Sequence, residues 1–343
     1  MSLSSAPDAP ISAGTTRIAV VDLARGAALV AMAVFHLAWD LFWLRFITTD
    51  VALHPGWRAF SHSIAASFLF LAGISLGLAH ADGPRWRPFW RRLGIVAGAA
   101  LGVSIVTRIA MPDAWVAFGI LHCIAAASLM GAALVRLPWR AVLAAAAIVA
   151  AVAPVLDLPA LAFVQGRVEA SALFPLWQHL GLARVPPLAV DFVPIFFWSA
   201  YLLVGLAAGL GLARGPGAAR LAALAPPPLA APLMWAGRRS LAIYLIHQPV
   251  FIALLMGLAW VAPGLTVRTD RPAEARFEQE CVSECSLSRD RRACLAACAC
   301  VVTALRREPF RLRQATGLEP ADERMDEAIE RAAALCFRPP SAP

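Results

Sequence analysis

The sequence predicts an all-α polytopic membrane protein: a bundle of about seven transmembrane helices followed by a small Cys-rich helical tail. Three observations carry this. Of 343 residues, 60% are hydrophobic and 15% charged, whereas soluble domains run to about 45–50% apolar and about 25% charged. The apolar residues fall into repeated runs long enough to cross a bilayer, which takes ~20 residues. Six of the seven cysteines lie beyond the last run, in a charged, helix-prone stretch.

Residues 1–16 are rich in Ser, Ala and Pro and hold no basic cluster. The first apolar run is longer than a signal-peptide core, so it reads as an uncleaved span behind a disordered N-terminus. The runs are 18–46, 60–80, 93–111, 115–135, 140–156, 192–213 and 236–262. The third ends at Met111-Pro112-Asp113, and the fifth is the shortest and richest in Ala. The stretch 221–235 contains Pro226-Pro227-Pro228 and is too broken to span, because proline lacks the N–H a helix needs. Gly73 and Gly77 are separated by three residues, as are Gly205 and Gly209, the spacing of close helix packing.

All 30 basic residues are Arg, and the net charge is +8. They cluster beside the spans, which fits the positive-inside bias and gives no reason to invoke nucleic acid as a partner. Arg85, Arg87, Arg91 and Arg92 fall between the second and third runs, and Arg136 and Arg140 between the fourth and fifth. Arg214, Arg220, Arg238 and Arg239 fall between the sixth and seventh. These connections and the N-terminus are expected in the cytoplasm, with 47–59 and 157–191 facing outward. Seven spans then place the C-terminus outside. The domains expected are 1–16, a membrane domain over 17–264 and an extracytoplasmic tail over 265–343.

In the tail, Cys281, Cys285, Cys294, Cys298, Cys300 and Cys336 begin as C-x3-C, eight residues, C-x3-C-x-C. A step of four residues is about one helical turn, so two short helices around 288–290 could be laced by two disulfides. An outward tail lies where disulfides persist. A zinc site is the alternative, less suited because His partners are missing, and the connectivity stays open. Cys123, inside the fourth run, reads as a small buried hydrophobe.

The first run carries Asp22, Arg25, His36 and Asp40. At about 100° per residue, Arg25 and His36 lie close to three whole turns apart, and Asp22 and Asp40 fall within about 40° of His36. One face of this helix is therefore ionisable. Such groups cost at least ~2.5 kcal/mol each to insert and usually mark a working site; a structural Arg–Asp clamp is the plainer reading. His36 suits general-base work, with Asp40 one turn on to orient it. His54 in HPGW, with His62 further on, His122 in FGILHC, Asp191, and His247 in GRRSLAIYLIHQPV are further polar candidates. For His122 a buried structural histidine is the stronger reading. Arg238 and Arg239 could hold phosphates or simply anchor the seventh span.

These residues form a familiar set. Arg17, Asp22, Arg25, Gly26 and His36 give R-x4-D-x2-R-G with a polar group eleven residues after the second Arg. With FLFLAGISL at 68–76, FGILH at 118–122, DFVPIFFW at 191–198 and SLAIYLIHQPVF at 240–251, the chain resembles the heparan-α-glucosaminide N-acetyltransferase catalytic-domain family, in particular its bacterial branch. The resemblance covers most of 17–260 and leaves out the tail. It implies transmembrane acetyl transfer from cytoplasmic acetyl-CoA to an amine outside, with a catalytic His in the loop between the first two spans; His54-Pro55-Gly56-Trp57 matches that position. Lysosomal members carry Asn where this chain has His36. Arg25-x10-His36 is also similar to the Arg-x10-His pattern of the acyltransferase 3 family, which implies O-acylation as a variant.

The expectation is thus an acyltransferase in the bacterial inner membrane that uses acetyl-CoA and no metal. Its acceptor would be a glycan or envelope precursor, and a homo-oligomer is compatible with it. His54, His36 and Asp40 would do the chemistry. Arg25, Arg85, Arg87, Arg91, Arg238 and Arg239 would meet the donor. A transporter or flippase for an envelope precursor is the alternative, weakened because the spans show no internal repeat. A scaffold acting through the Cys-rich tail is a third reading.

Overall fold

The computed structural model describes residues 18–337 apart from 48, 53, 82, 113, 157–172, 183–186, 188, 263–264, 266–270, 287–288 and 306–322. Arg17, the N-terminal segment 1–16 and part of the 157–191 connection therefore lie outside the described residues. Five helices are long and apolar enough to cross a membrane: α1 (Ala19–Trp43), α2 (Pro55–Ala79), α3 (Trp86–Ala110), α7 (Ile195–Arg214) and α10 (Ser240–Val261). Two shorter apolar helices, α4 (Ile120–Leu134) and α5 (Trp139–Leu156), occupy the fourth and fifth runs. Between the spans lie α6 (Phe174–Leu180), α8 (Gly217–Ala223) and α9 (Ala231–Arg238). The tail holds α11 (Arg271–Cys285), α12 (Arg291–Leu305) and α13 (Glu323–Cys336). Among the described residues the one β feature is an isolated parallel bridge between Phe118 and Phe192. The protein is an all-α polytopic membrane protein with a Cys-rich helical tail.

Several boundaries move from the sequence reading. Helix α2 starts at Pro55, a residue pre-set for the first helical position, so His54 sits directly before a helix and His62 lies two turns inside it. Helix α3 starts at Trp86, so Arg87, Arg91 and Arg92 are helical residues and not loop residues. Helix α4 starts only at Ile120, because 114–119 pairs instead with 190–193. Pro249 lies inside α10, which runs unbroken around it.

The chain forms two compact units, Met1–His36 with Gly56–Val250, and Leu37–Pro55 with Phe251–Pro343. In the first, α7 is apolar all round, as a central helix must be. Its Leu202, Leu203 and Leu206 are fully buried among Leu69 and Leu76 of α2, Cys123 and Ala127 of α4, and Val142 and Ala146 of α5. Cys123 is thus a small buried hydrophobe. The spaced glycines make the closest seam. A β-carbon on Gly73 would strike the Leu202 carbonyl, one on Gly77 the Leu206 carbonyl, one on Gly205 the Phe70 carbonyl and one on Gly209 the Ile74 carbonyl. Gly26 of α1 and Gly237 of α9 interlock likewise, against the backbones of Leu233 and Asp22.

This unit has two distinct ends. At one, the connections after α2, α4 and α7 converge around a shared cavity, and the N-terminal part of α1 packs on α9 in the α7–α10 connection. At the other, Val190 N–H bonds to the Ala114 carbonyl and Val193 N–H to the Phe118 carbonyl, both at 3.0 Å. Residues of the connections after α2, α4 and α7 thus share one cavity. Just beyond the second end, Phe197 has φ 74°, a conformation that a bulky side chain adopts only under constraint. Regular helix follows from Trp198.

In the second unit, α1 ends in a Schellman motif with Arg45 in the left-handed region: Phe46 N–H bonds to the Leu41 carbonyl at 2.7 Å and Arg45 N–H to the Phe42 carbonyl at 3.0 Å. The tail is a hairpin of α11 and α12 joined by Cys281–Cys298 and Cys285–Cys294. These bonds use the thiols a zinc site would need. Cys300–Cys336 ties α13 to α12. Asp290 caps α12, accepting from the N–H groups of Arg292 and Ala293 at 3.0 and 3.3 Å. Val301, Leu305, Ala328 and Ala332 form a small core with Phe277 and Phe337. Disulfides contribute about 2–4 kcal/mol each in such small units.

Candidate active site

Helix α1 buries its ionisable stripe as the helical period requires: Asp22, Leu29, Met32 and Asp40 are all 3% exposed or less. At the N-terminal end of the stripe, Arg25 donates to Asp22 Oδ1 at 3.1 Å and also to the Ser75 hydroxyl of α2. Ser75 in turn donates to the Leu71 carbonyl at 2.6 Å. Arg25 therefore couples α1 to α2 through charge-assisted bonds, in the form of a clamp. Nothing in the sequence pattern singled out Ser75, which sits among small residues in FLFLAGISL.

Three turns further, His36 meets His247 of α10. Their ring centroids are 5.0 Å apart and the rings are edge to face. Phe35 and Tyr244 pack beside them. His247 Nδ1 lies 2.6 Å from the Tyr244 carbonyl. A carbonyl only accepts, so Nδ1 carries the proton, and the neutral ring then holds its lone pair on Nε2. Tyr244 thereby fixes the tautomer and ring angle of His247 through its backbone. The spacing Tyr-x2-His is readable in sequence; the pairing with His36 is not.

Asp40 lies one turn beyond His36 on α1 and is fully buried. His54, in the second unit, is exposed, and its N–H bonds to the Asp50 carbonyl at 3.1 Å. His62 is exposed and sets its ring against Trp198 at 5.3 Å.

His122 and Asp191 belong to a different construction. His122 Nδ1 accepts from Gly119 N–H at 3.2 Å, so Nε2 carries the proton and donates to Ser104 Oγ at 3.2 Å. Ser104 then donates to the Val116 carbonyl at 2.7 Å. Asp191 Oδ2 accepts from Ile120 N–H at 2.9 Å, at the N-terminus of α4. A β-carbon on Gly119 would strike this carboxylate, so only glycine admits the cap. Desolvation pushes the Asp191 carboxyl above its ordinary range, and the bond from Ile120 draws it partly back. FGILH and DFVPIFFW are thus two halves of one lock that closes this end of the bundle.

Of the arginines expected to meet a donor, Arg85, Arg87, Arg91, Arg238 and Arg239 are exposed, whereas Arg25 is held in the clamp. Arg85 directly precedes α3, whose N-terminal turns carry Arg87 and Arg91. Arg238 ends α9, and Arg239, between α9 and α10, stacks over Trp235 at 4.6 Å.

Comparison with protein families matches residues 17–249 to "Heparan-alpha-glucosaminide N-acetyltransferase, catalytic". Searches among curated proteins and among solved structures return no match. The matched region contains the clamp, the His36–His247 pair, the His122–Asp191 lock and every arginine just named, and it excludes the disulfide tail. The chain belongs to the heparan-α-glucosaminide N-acetyltransferase catalytic family, and membership implies a membrane acetyltransferase.

Proposed function

We propose that the protein moves an acetyl group from cytoplasmic acetyl-CoA to an amine or hydroxyl of an extracytoplasmic glycan or envelope precursor. The carrying observation is the His36–His247 pair, two imidazoles edge to face within the family-matched bundle. The Arg-rich end of the first unit is assigned to the cytoplasm by the positive-inside bias, with the membrane the bacterial inner membrane. The disulfides suit a periplasmic tail. Arg85, Arg87, Arg91, Arg238 and Arg239 meet the donor's phosphates. Arg25 acts by holding α1 on α2.

In the reaction, the acceptor nitrogen or oxygen attacks the thioester carbonyl carbon and its proton passes to a histidine Nε2. The carbon–sulfur bond breaks, and the CoA thiolate leaves and takes up a proton. Histidine suits both transfers because its pKa lies near neutrality. In this reading His36 and His247 serve inside the bundle, with Asp40 on the same face of α1, and the resemblance at His54-Pro55-Gly56-Trp57 supports acceptor-side proton removal by His54. Family membership favours this reading over a transporter or flippase.

The test reconstitutes the full chain in proteoliposomes, supplies radiolabelled acetyl-CoA with glucosamine and with a hydroxyl-only sugar, and follows acetylated product and free thiol. His36→Ala, His247→Ala and His54→Ala should each lower turnover about 10²-fold or more while the unfolding temperature holds. Turnover that survives the His36→Ala, His247→Ala double change would remove the pair from the chemistry. Absent turnover together with absent CoA binding by folded protein would count against acyl transfer itself.

A further inference from the structure

The connection between α7 and α10 carries a pattern that the proposed chemistry does not use. Residues 221–237 contain no charged, hydroxyl or amide side chain, and Pro226-Pro227-Pro228 keeps them from forming a span. The stretch is nevertheless not buried. Leu224, Leu229 and Trp235 are 54%, 91% and 49% exposed, and Pro227 and Pro228 are exposed with them. An apolar surface of this kind marks a contact with a partner.

Its place in the fold indicates the partner. The connection leaves α7 and enters α10, two helices long and apolar enough to cross a membrane, so it lies at a membrane surface. Its depth is set by α1. A β-carbon on Gly26 would strike the Leu233 carbonyl, and one on Gly237 the Asp22 carbonyl, so α9 lies level with residues 22–26. These lie about 4–10 Å along α1 from its start at Ala19. An upright, centred α1 is about 37 Å long against a hydrocarbon core of about 30 Å, and overhangs by about 4 Å at each end. The level of α9 is therefore the hydrocarbon boundary or just inside it, where a helix lying in the interface buries its apolar face. The unwound backbone suits that depth. Pro226, Pro227 and Pro228 have no N–H to satisfy, and Ala230 N–H bonds to the Pro227 carbonyl at 2.8 Å. The flanks are basic: Arg220 precedes the stretch, Arg238 and Arg239 follow it, and no Asp or Glu occurs in 192–269. Arg239 lies over Trp235 at 4.6 Å, and Trp and Arg are side chains of the headgroup level.

We propose that the α7–α10 connection lies within one leaflet of the bilayer, with Leu224, Leu229 and Trp235 set among the upper acyl chains and Arg220 against the headgroup of an anionic phospholipid. The partner is the lipid surface itself. A basic side chain beside an anionic leaflet is attracted to it, and the absence of carboxylates from the stretch leaves that attraction unopposed. The connection thereby holds α9 at a fixed depth and, through the contact of Gly26 with Gly237, the start of α1 with it. The proposal does not depend on the acyltransferase reading, because lipid contact needs no turnover.

The test uses the full-length protein with Leu229→Cys or Leu224→Cys, each labelled with an environment-sensitive fluorophore. Cys123 is buried and the other six cysteines are disulfide-bonded, so the new thiol takes the label. Pro84→Cys, exposed in the connection after α2, gives the reference. The proteins are placed in nanodiscs of phosphatidylcholine and phosphatidylglycerol, and the label is quenched either by iodide in the water or by doxyl groups high on the acyl chains. Labels at 229 and 224 should be quenched by the doxyl lipid and shielded from iodide, relative to the label at 84. Iodide access equal to that at 84 overturns the proposal. Shielding from iodide without doxyl quenching overturns it equally, because the cover is then protein, either the segment 1–17 or a second copy. A second arm reads bound lipid by native mass spectrometry. Arg220→Gln should lower retention of phosphatidylglycerol over phosphatidylcholine about fivefold, the share of one basic side chain near an anionic surface. Unchanged retention in that variant overturns the headgroup contact.

Discussion

The glycine seam permits a sharp comparison within one protein. In Gly77→Ala the new β-carbon would lie 2.8 Å from the Leu206 carbonyl oxygen and 2.8 Å from the Leu210 nitrogen. Both are backbone atoms, so no rotamer change relieves the contact, and α2 and α7 must separate by about half an ångström to restore an ordinary one. The move opens the layer of fully buried leucines alongside. Overpacking of this kind costs typically 1–3 kcal/mol, against which alanine returns up to about 1 kcal/mol of helix propensity. The expected net for Gly73, Gly77, Gly205 or Gly209 is a loss of about 1–2 kcal/mol each. Gly94 and Gly98 of α3 provide the control, because a β-carbon at either meets nothing within 4 Å. Alanine there should be neutral or stabilising by up to about 1 kcal/mol. Unfolding of detergent-purified protein followed by tryptophan fluorescence separates the two groups. Equal shifts for Gly77→Ala and Gly98→Ala would refute the seam as the source of the packing.

Three further outcomes are expected. Maleimide labelling of denatured, unreduced protein should modify only Cys123, with all seven cysteines labelled after reduction, as read by intact mass; more than one label before reduction would contradict the pairing. The raised carboxyl of Asp191 means that the folded state holds this proton to higher pH than the unfolded chain. Its contribution to stability should therefore fall as pH rises from about 4 through the folded-state value and then level off, and Asp191→Asn should lack that slope in melts taken across pH. His122→Ala should lower the melting temperature, by removing bonds to Gly119 and Ser104, without changing the pH profile of turnover.

Much of the fold was legible because its signals are local. The stripe of Asp22, Arg25 and Asp40 follows from helical period alone, and the paired glycines follow from spacing. That a hairpin could be laced by two disulfides follows from C-x3-C on each helix, whereas the pairing of Cys281 with Cys298 and Cys285 with Cys294 does not. What was not legible depends on distant partners. Helix α4 starts late because Asp191, 71 residues away in sequence, accepts its first amide, and no window around FGILH contains that fact. The early starts of α2 and α3 were missed for another reason: an amphipathic first turn carrying Trp and Arg lowers local hydropathy without interrupting the helix. Cys300 and Cys336 are separated by 36 residues, so their pairing needed α13 in place.

The ionisable groups inside the bundle separate by what their hydrogen bonds are used for. Arg25 is engaged by Asp22 and Ser75, and His122 is bonded through both ring nitrogens. Each therefore joins two segments, and moving its proton would break the junction it makes. His247 is held differently. The Tyr244 carbonyl engages Nδ1 and so orients Nε2, the second-nitrogen arrangement by which an imidazole is aimed for proton transfer. The His247 ring packs edge to face on a second imidazole, that of His36. The same composition of Arg, Asp and His thus yields joints between segments at Arg25 and His122 and a pair of packed imidazoles at His36 and His247. A sequence that shows only residue types along one helix face cannot separate the two cases.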